Sequence, residues 1–318
     1  MDSPFEYRNC PGCGQNDFEV LFESNMKSSD SQKGIETVYM LPEHKHGRHV
    51  KCKNCHLIYV NPIEKGSKIN EDYCERESND VPIIRESRLQ ATKSQVGLIK
   101  KYKKGTTLLD VGCGEGFFLF NASKAGYGTK GIELSQDAVA YAQKEFGLYV
   151  EARAFEEAQF PEGCFDIVTL WQVLEHVPYP LTILKEVHRV LKPGGMLAVS
   201  TPDVGGILAR IFRTKWWNIS RLHINQFTSK TLKRMLENAG FENVFPASYW
   251  ECIDLSMLLT IMLKYVKVYK QSKALRYHGS ALAKIMGKVK FIYPAKLDNC
   301  VMIGFKQGYE KSLSIARD

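Results

Sequence analysis

Two cysteine pairs give the N-terminal part of the chain the means to bind a metal. Cys10-x2-Cys13 in "NCPGCG" and Cys52-x2-Cys55 in "VKCKNCH" stand 38 residues apart. Each pair is a short turn able to offer two thiolates to one tetrahedral ion, with a Zn–S distance of about 2.3 Å. Gly12 and Gly14 relax the backbone around the first pair, as a tight knuckle requires. Four thiolates complete the tetrahedron and leave no position for a reacting water, so the predicted ion is a structural zinc. Iron in a rubredoxin-like knuckle is the alternative. His44, His46, His49 and His56 are near in sequence. Each is a substitute ligand or, on the plainer expectation, a solvated loop histidine.

A second stretch, "LLDVGCGEGFF", sets Gly112, Gly114 and Gly116 behind Asp110. Glycines at the end of a buried strand let a ligand lie against the strand–helix turn. A dinucleotide-binding turn runs G-x-G-x-x-G, but Phe117 occupies its last position. Asp110 would repel a pyrophosphate and suits a cationic ligand instead. Glu133 follows Gly112 by 21 residues, at the end of the next strand, where an acid can accept both hydroxyls of a ribose. A ribose acceptor without a phosphate preference describes S-adenosylmethionine; a purely structural glycine loop is the alternative.

The elements that must hold these residues follow from periodicity. An amphipathic helix over "RLQATKSQVGLIKKY" precedes a buried strand, "TTLLDV". Helices at 116–126, 135–146 and 180–191 then alternate with strands "GTKGIEL", "FDIVTLWQV" and "GGMLAVSTP". Such alternation predicts an α/β fold, a doubly wound parallel sheet with helices on both faces and ligands beyond the strands' carboxyl ends. The 318 residues suffice for that core plus a small module. Hydrophobic content of 44% and charged content of 25% are those of a soluble protein. The first residues lack the apolar stretch of a signal peptide, and the longest apolar run, Leu255–Leu263, is too short to span a bilayer. Nine cysteines without an export signal favour thiols and metal over disulfides, and a cytoplasmic location is expected. The predicted organisation is a zinc-ribbon-like module over 1–65 and the α/β domain over 66–318, with a polar loop over 23–36 and a linker over 61–80.

"LLDVGCGEGFF", "GIELS", "FDIVTLWQVLEHV", "EVHRVLKPGGMLAVSTP" and "HINQFTSKTLKRMLENAGF" together resemble the successive motifs of class I S-adenosylmethionine-dependent methyltransferases. The resemblance covers roughly residues 88–250, closes with "NCVMIGFKQ", and implies a Rossmann-like, mostly parallel sheet of seven strands. It implies that Asp110 and the three glycines flank the methionine moiety and Glu133 holds the ribose. Leu134 would line the adenine, and Trp171 and Gln172 would face the sulfonium. The chain departs from the pattern where many relatives carry an adenine-binding aspartate: Arg153 or Phe155 stands there, so backbone groups are expected to hold the adenine. The leading cysteine module resembles that of a bacterial subgroup associated with methylating sugars and other secondary or surface metabolites.

Methyl transfer needs alignment, plus a base when the acceptor is a hydroxyl or carbon acid. His176, after the fourth strand of the alternation, is the first candidate base and His223 the second; capping or packing is the alternative role for His176. Ubiquinone and small-RNA 3′-end methyltransferases carry a metal-binding E-x-x-E-H. Here Gln172 stands for the first acid before Glu175 and His176, which disfavours a catalytic metal. Residues 255–297 hold nine Lys or Arg and no Asp or Glu, and are expected to form a basic helical insertion within 251–297. A solvated cap, a peripheral membrane contact for an anionic lipid-linked substrate and a nucleic-acid groove compete for that stretch. The expected activity is methylation of a small molecule, a sugar or nucleotide-linked sugar in surface-polysaccharide or secondary metabolism. An RNA methyltransferase and a non-catalytic binding protein are the alternatives.

Overall fold

The computed structural model of the chain describes residues 5–26, 45–64, 82–103, 105–255 and 289–308. The N-terminal segment forms β1 (Phe5–Glu6), β2 (Phe18–Phe22), β3 (His49–Cys52), β4 (Ile58–Val60) and β5 (Ile63–Glu64). Helix α1 (Pro82–Tyr102) leads into β6 (Thr107–Val111), α2 (Phe117–Lys124), β7 (Gly128–Glu133), α3 (Gln136–Phe146) and β8 (Val150–Ala152). Then come β9 (Phe165–Trp171), α4 (Pro180–Val190), β10 (Leu191–Pro202), α5 (Ile207–Phe212), β11 (Asn225–Gln226) and α6 (Ser229–Asn238). The chain closes with β12 (Glu242–Pro246), β13 (Trp250–Asp254), β14 (Lys290–Pro294) and β15 (Asn299–Phe305).

Seven strands make one sheet in the order β12-β15-β10-β9-β6-β7-β8. Only β15 runs antiparallel to its neighbours, so the sheet is mostly parallel, as the alternation predicts. The chain winds outward from β6 in one direction and from β9 in the other, so a crevice opens between these two neighbours. Side chains alternate across the sheet. Leu108, Ile167, Ala198 and Ile303 pack with Ile99, Leu119 and Ala142 of α1, α2 and α3. Leu109, Val168, Val199 and Met302 pack with Leu184 and Val187 of α4 and with Leu232 and Leu236 of α6.

The cysteine segment packs on this second face. Cys10, Val50, Cys52 and Tyr59 belong to the same apolar cluster as Leu232 and Met235. Strand β11, from the α/β part, is the edge of the module's own sheet, ordered β11-β4-β3-β2, with Asn225 opposite Tyr59. Arg221 and Glu64 form an ion pair at 2.8 Å. The expected division at residue 65 therefore marks a change of layer, not a boundary between two cores.

Other expectations are corrected in detail. Near its ends the 251–297 insertion is extended where helix was expected: β13 pairs with β14 antiparallel, from Trp250 opposite Pro294 to Asp254 opposite Lys290, before a short 3-10 turn at Ala295–Leu297. Aromatic and β-branched residues in "WECID" and "KFIYP" suit such a ladder. The helical reading of 256–288, residues 65–80 of the linker, residues 27–36 of the polar loop and His44 lie outside the described residues. Strand β10 begins at Leu191, earlier than expected, and its register against β9 shifts between Leu191 and Met196, where Pro193, Gly194 and Gly195 intervene. Among the described residues no helix is long and apolar enough to cross a membrane.

The turn after β6 has little tolerance for a side chain. Gly116 sits at φ +80°, and a Cβ there would lie 2.7 Å from Leu148 Cδ1 and 3.0 Å from Ala142 Cβ. Gly114, at φ +53°, faces open space. Gly116→Ala is expected to cost about 2–3 kcal/mol, combining left-handed strain with overpacking, and Gly114→Ala about 1 kcal/mol from strain alone. Urea unfolding of the two variants checks the difference; equal losses would remove the packing role of Gly116.

Candidate functional site

At the carboxyl end of β6, the three glycines have different reasons to be glycine. All have positive φ, but a Cβ at Gly112 would meet Val173 Cγ2 at 2.7 Å, and Gly116 is closed by α3. Only Gly114 opens on unfilled space, so it is the one of the three where a ligand could approach the backbone. Glu133, at the end of β7, reaches across to this turn. Its Oε2 accepts the Gly114 N–H at 2.8 Å, and Oε1 accepts the N–H groups of Leu134 and Ser135 at 2.8 and 3.0 Å. Three backbone donors take three of roughly four acceptor positions of a carboxylate. The acid is thus held in place with room for one hydroxyl donor, which fits a ribose, though with fewer positions than two hydroxyls would use. Leu134 lies half-buried beside it.

Asp110 is buried under the same turn and accepts the Thr169 hydroxyl from β9 at 2.6 Å. Burial pushes its pKa up to about 8, against the Thr169 hydrogen bond and with some help from the charge of Glu133. A buried acid kept neutral near pH 7 becomes a counterion once a cation is brought against it. These features fit S-adenosylmethionine: an anchored acceptor, an open glycine and a carboxylate awaiting positive charge. At the next position in the pattern, Phe155 is buried against Phe160 at 6.4 Å, and Arg153 pairs with Glu151 at 3.1 Å.

Trp171, which ends β9, and Gln172, which follows it, diverge. Trp171 packs its indole between Phe118 and Tyr249, at 5.4 and 5.6 Å. Gln172, at φ +59°, turns its amide across the strands and donates to Ser200 Oγ and Asn299 Oδ1 at 3.2 and 3.1 Å. The turn that follows carries Glu175 and His176. Their ligating atoms and one of His223 lie within 4.8 Å of one another. The rings of His176 and His223 meet edge-on at 4.7 Å. His176 Nδ1–H donates to the Leu222 carbonyl and His223 Nδ1–H to that of Asn218, at 3.0 and 2.8 Å. A carbonyl only accepts, so the lone pair of each neutral ring is on Nε2. His176 Nε2 lies 3.9 Å from Glu175 Oε1. Burial lowers the pKa of His223 to about 4 and raises that of Glu175 to about 8, the latter with both oxygens lacking a hydrogen bond of normal geometry. The cluster thus fits a proton-accepting pair, and its donor set also fits a divalent cation.

The four cysteines converge as the spacing predicts. Sγ separations are 3.4 Å for Cys10 and Cys55 and 3.6 Å for Cys13 and Cys52, and all four lie within 4.8 Å of one another. Thiolates about 2.3 Å from zinc would stand roughly 3.8 Å apart, so the donors fit that ion. Each knuckle is a backbone turn, with Gly14 N–H donating to Cys10 O at 2.8 Å and His56 N–H to Cys52 O at 3.0 Å. His56 is exposed, but His46 and His49 are not the solvated histidines the sequence suggested. They pack on Phe22 at 5.1 and 4.6 Å, because β2 and β3 bring all three rings together. His49 is fully buried, its pKa drawn down to about 4 by burial, with lesser lowering by His46 and by His223 of the α/β part.

Sequence reasoning missed Thr169, Arg8 and Asn225. Thr169 alternates with buried apolar residues along β9, the one available signal; the others acquire roles only through contacts between distant segments.

Residues 84–245 match the family model described as a methyltransferase domain. The chain is similar to the ubiquinone biosynthesis O-methyltransferase of Pseudomonas paraeruginosa, 34% identical over 147 residues, covering 44% of this chain and 61% of the relative. It is also similar to the enzyme of that name from Methylococcus capsulatus, 39% identical over 103 residues, covering 30% of this chain and 44% of the relative. The match thus spans less than two thirds of these relatives' length. A solved S-adenosylmethionine-dependent methyltransferase from Archaeoglobus fulgidus shares 19% identity at a TM-score of 0.47, over 71% of this chain and 100% of that one. The chain belongs to the methyltransferase-domain family.

Proposed function

We propose that the chain transfers a methyl group from S-adenosylmethionine to a hydroxyl oxygen of a small molecule, with a sugar or nucleotide-linked sugar as the acceptor class. The observation that carries this reading is the placement, along one carboxyl edge, of backbone-anchored Glu133, buried Asp110 and the His176–Glu175 pair. The name of the curated relatives supports an oxygen acceptor on a small molecule. The cysteine module supports the sugar class through its resemblance to that of sugar-methylating proteins. The cofactor supplies an activated methyl on a positively charged sulfur. Glu133 orients the ribose through the acceptor position its backbone donors leave, and Asp110 faces the positive charge. His176 takes the hydroxyl proton at Nε2, and Glu175, 3.9 Å away, stabilises the imidazolium in the form of the protein in which its carboxyl is already ionised. Labelled-methyl transfer into pools of nucleotide sugars, phenols and RNA tests the acceptor. Label confined to RNA would sink the small-molecule reading.

A second reading of the same residues rests on the bare, buried carboxylate of Glu175. Glu175, His176 and His223 would hold a divalent cation that orients the acceptor oxygen. Both ring Nδ1–H groups donate to carbonyls, the arrangement that presents Nε2 to a metal. His176→Ala is expected to lower turnover roughly 10²–10⁴-fold with cofactor affinity intact. If His176 is the base, wild-type turnover survives chelation that leaves the cysteine-bound metal in place. Loss of turnover on such chelation, restored by magnesium or manganese, identifies the metal reading.

Asp110 sets the pH dependence of cofactor binding. Its folded pKa lies above the ordinary carboxyl value, so the protonated form adds stability that is lost as pH rises from about 4 toward 8. A cation binds the ionised form, so affinity should rise about tenfold per pH unit up to about 8, with release of one proton. Calorimetry in buffers of different ionisation enthalpy measures both; pH-independent binding would separate Asp110 from the cofactor.

We assign zinc to Cys10, Cys13, Cys52 and Cys55. Cys52→Ser is expected to lose the metal and destabilise the chain by about 4 kcal/mol or more. Because the cysteines share the core with α6, this should appear as one shifted melting transition, lower by roughly 8–16 °C, and not as a separate early one. Wild-type protein without bound metal at mass spectrometry would refute the assignment.

A further inference from the structure

Arg8 lies two residues before the first metal-site cysteine, yet three of its four side-chain acceptors lie in the α/β part. The side chain is buried, and it donates to four acceptors that belong to three segments. Nη1 donates to the Pro178 carbonyl. Nη2 donates to the carbonyls of Ile224 and Val60 at 3.2 and 3.4 Å and to Asn225 Oδ1 at 3.1 Å. The Arg8 backbone is clamped by Asn61, whose amide accepts the Arg8 N–H and donates to its carbonyl, both at 3.1 Å. A cation withdrawn from water in this way is costly unless its acceptors are fixed, so the arrangement holds both sides rigid.

The acceptors are the neighbours of the Glu175–His176–His223 cluster. Asn225 donates its N–H to Glu175 O at 3.1 Å and its amide to Leu174 O and Val177 O at 3.0 and 2.8 Å. Pro178, held by Arg8 itself, follows Val177. On the other limb, Ile224 adjoins His223 and accepts both Arg8 and the Val60 N–H, the latter at 2.9 Å. The turn bearing Glu175 and His176 and the loop bearing His223 come from distant parts of the chain. Their joint partner is one guanidinium from the cysteine module.

We propose that Arg8 is a positioning residue, through which the cysteine module sets the spacing of Glu175, His176 and His223. The functional weight of that spacing rests on the reading of His176 given above.

The test compares Arg8→Met, which keeps the apolar stem and removes the donors, with Arg8→Lys, which restores the charge but not the fork. Ring ¹H–¹⁵N correlations of selectively labelled histidines, assigned through His176→Gln and His223→Gln, report the cluster independently of turnover. In folded, metal-containing Arg8→Met, the correlations of His176 and His223 should move. Turnover should fall about 10²-fold with cofactor affinity unchanged, the scale of a roughly 1 Å misplacement. Arg8→Lys should lie between. Correlations superposable on wild type in folded Arg8→Met would overturn the proposal, since a role confined to stability lowers the melting point without moving the rings. Should Arg8→Met fail to fold, Arg8→Lys, which lacks the fork, carries the test, and unchanged correlations there overturn it equally. Full turnover in His176→Gln would remove the functional reading of the cluster, while the correlations would still decide the positioning role.

Discussion

The hydrogen bond from Thr169 Oγ1 to Asp110 Oδ1, 2.6 Å long, joins the two strands from which the fold winds in opposite directions. Because β6 and β9 are neighbours but not consecutive, their following loops diverge and leave a crevice at the carboxyl edge. Asp110 and the glycine turn border it from one strand, and the turn carrying Glu175 and His176 follows the other. A carboxylate buried at that junction without the threonine would face the full cost of desolvation. One donor holds its orientation while burial keeps it protonated near neutrality.

The acids at this edge have contrasting surroundings. Glu133 lies in a cup of three backbone N–H groups, a setting that fixes the acceptor in one orientation. Asp110 and Glu175 have few or no donors and are raised by burial, so each responds to a charge brought close to it. An anchored acid suits recognition of a neutral hydroxyl; a neutralised acid suits the arrival of a cation or of a proton. The same residue type therefore serves different tasks according to how many backbone donors reach it.

The cysteine segment is built into this edge rather than attached to it. Its sheet takes β11 as an edge strand, its cysteines sit in the core beside α6, and Arg8 and Glu64 reach the loops around His176 and His223. Removing it would uncover Leu232 and Met235 of α6 and leave the strand bearing Asn225, which holds the 174–178 turn, without its pairing partner β4.

Features set by local rules were legible in the sequence. The alternation of strands and helices, the paired CxxC turns, the glycine turn and the acids at 110 and 133 depend on spacing and periodicity, which the sequence alone determines. The mostly parallel sheet follows from that alternation, and its seven strands from the resemblance to class I methyltransferases. Tertiary structure decided the rest, because packing is a property of segments far apart in the chain. Gly112 and Gly116 are glycines because Val173 and Leu148 press on them, and only Gly114 is open, a distinction that spacing cannot express. His46 and His49 look like loop histidines until β2 brings Phe22 over them. Arg8 carries no motif at all; its role arises because residues 60, 178, 224 and 225 converge on one buried guanidinium.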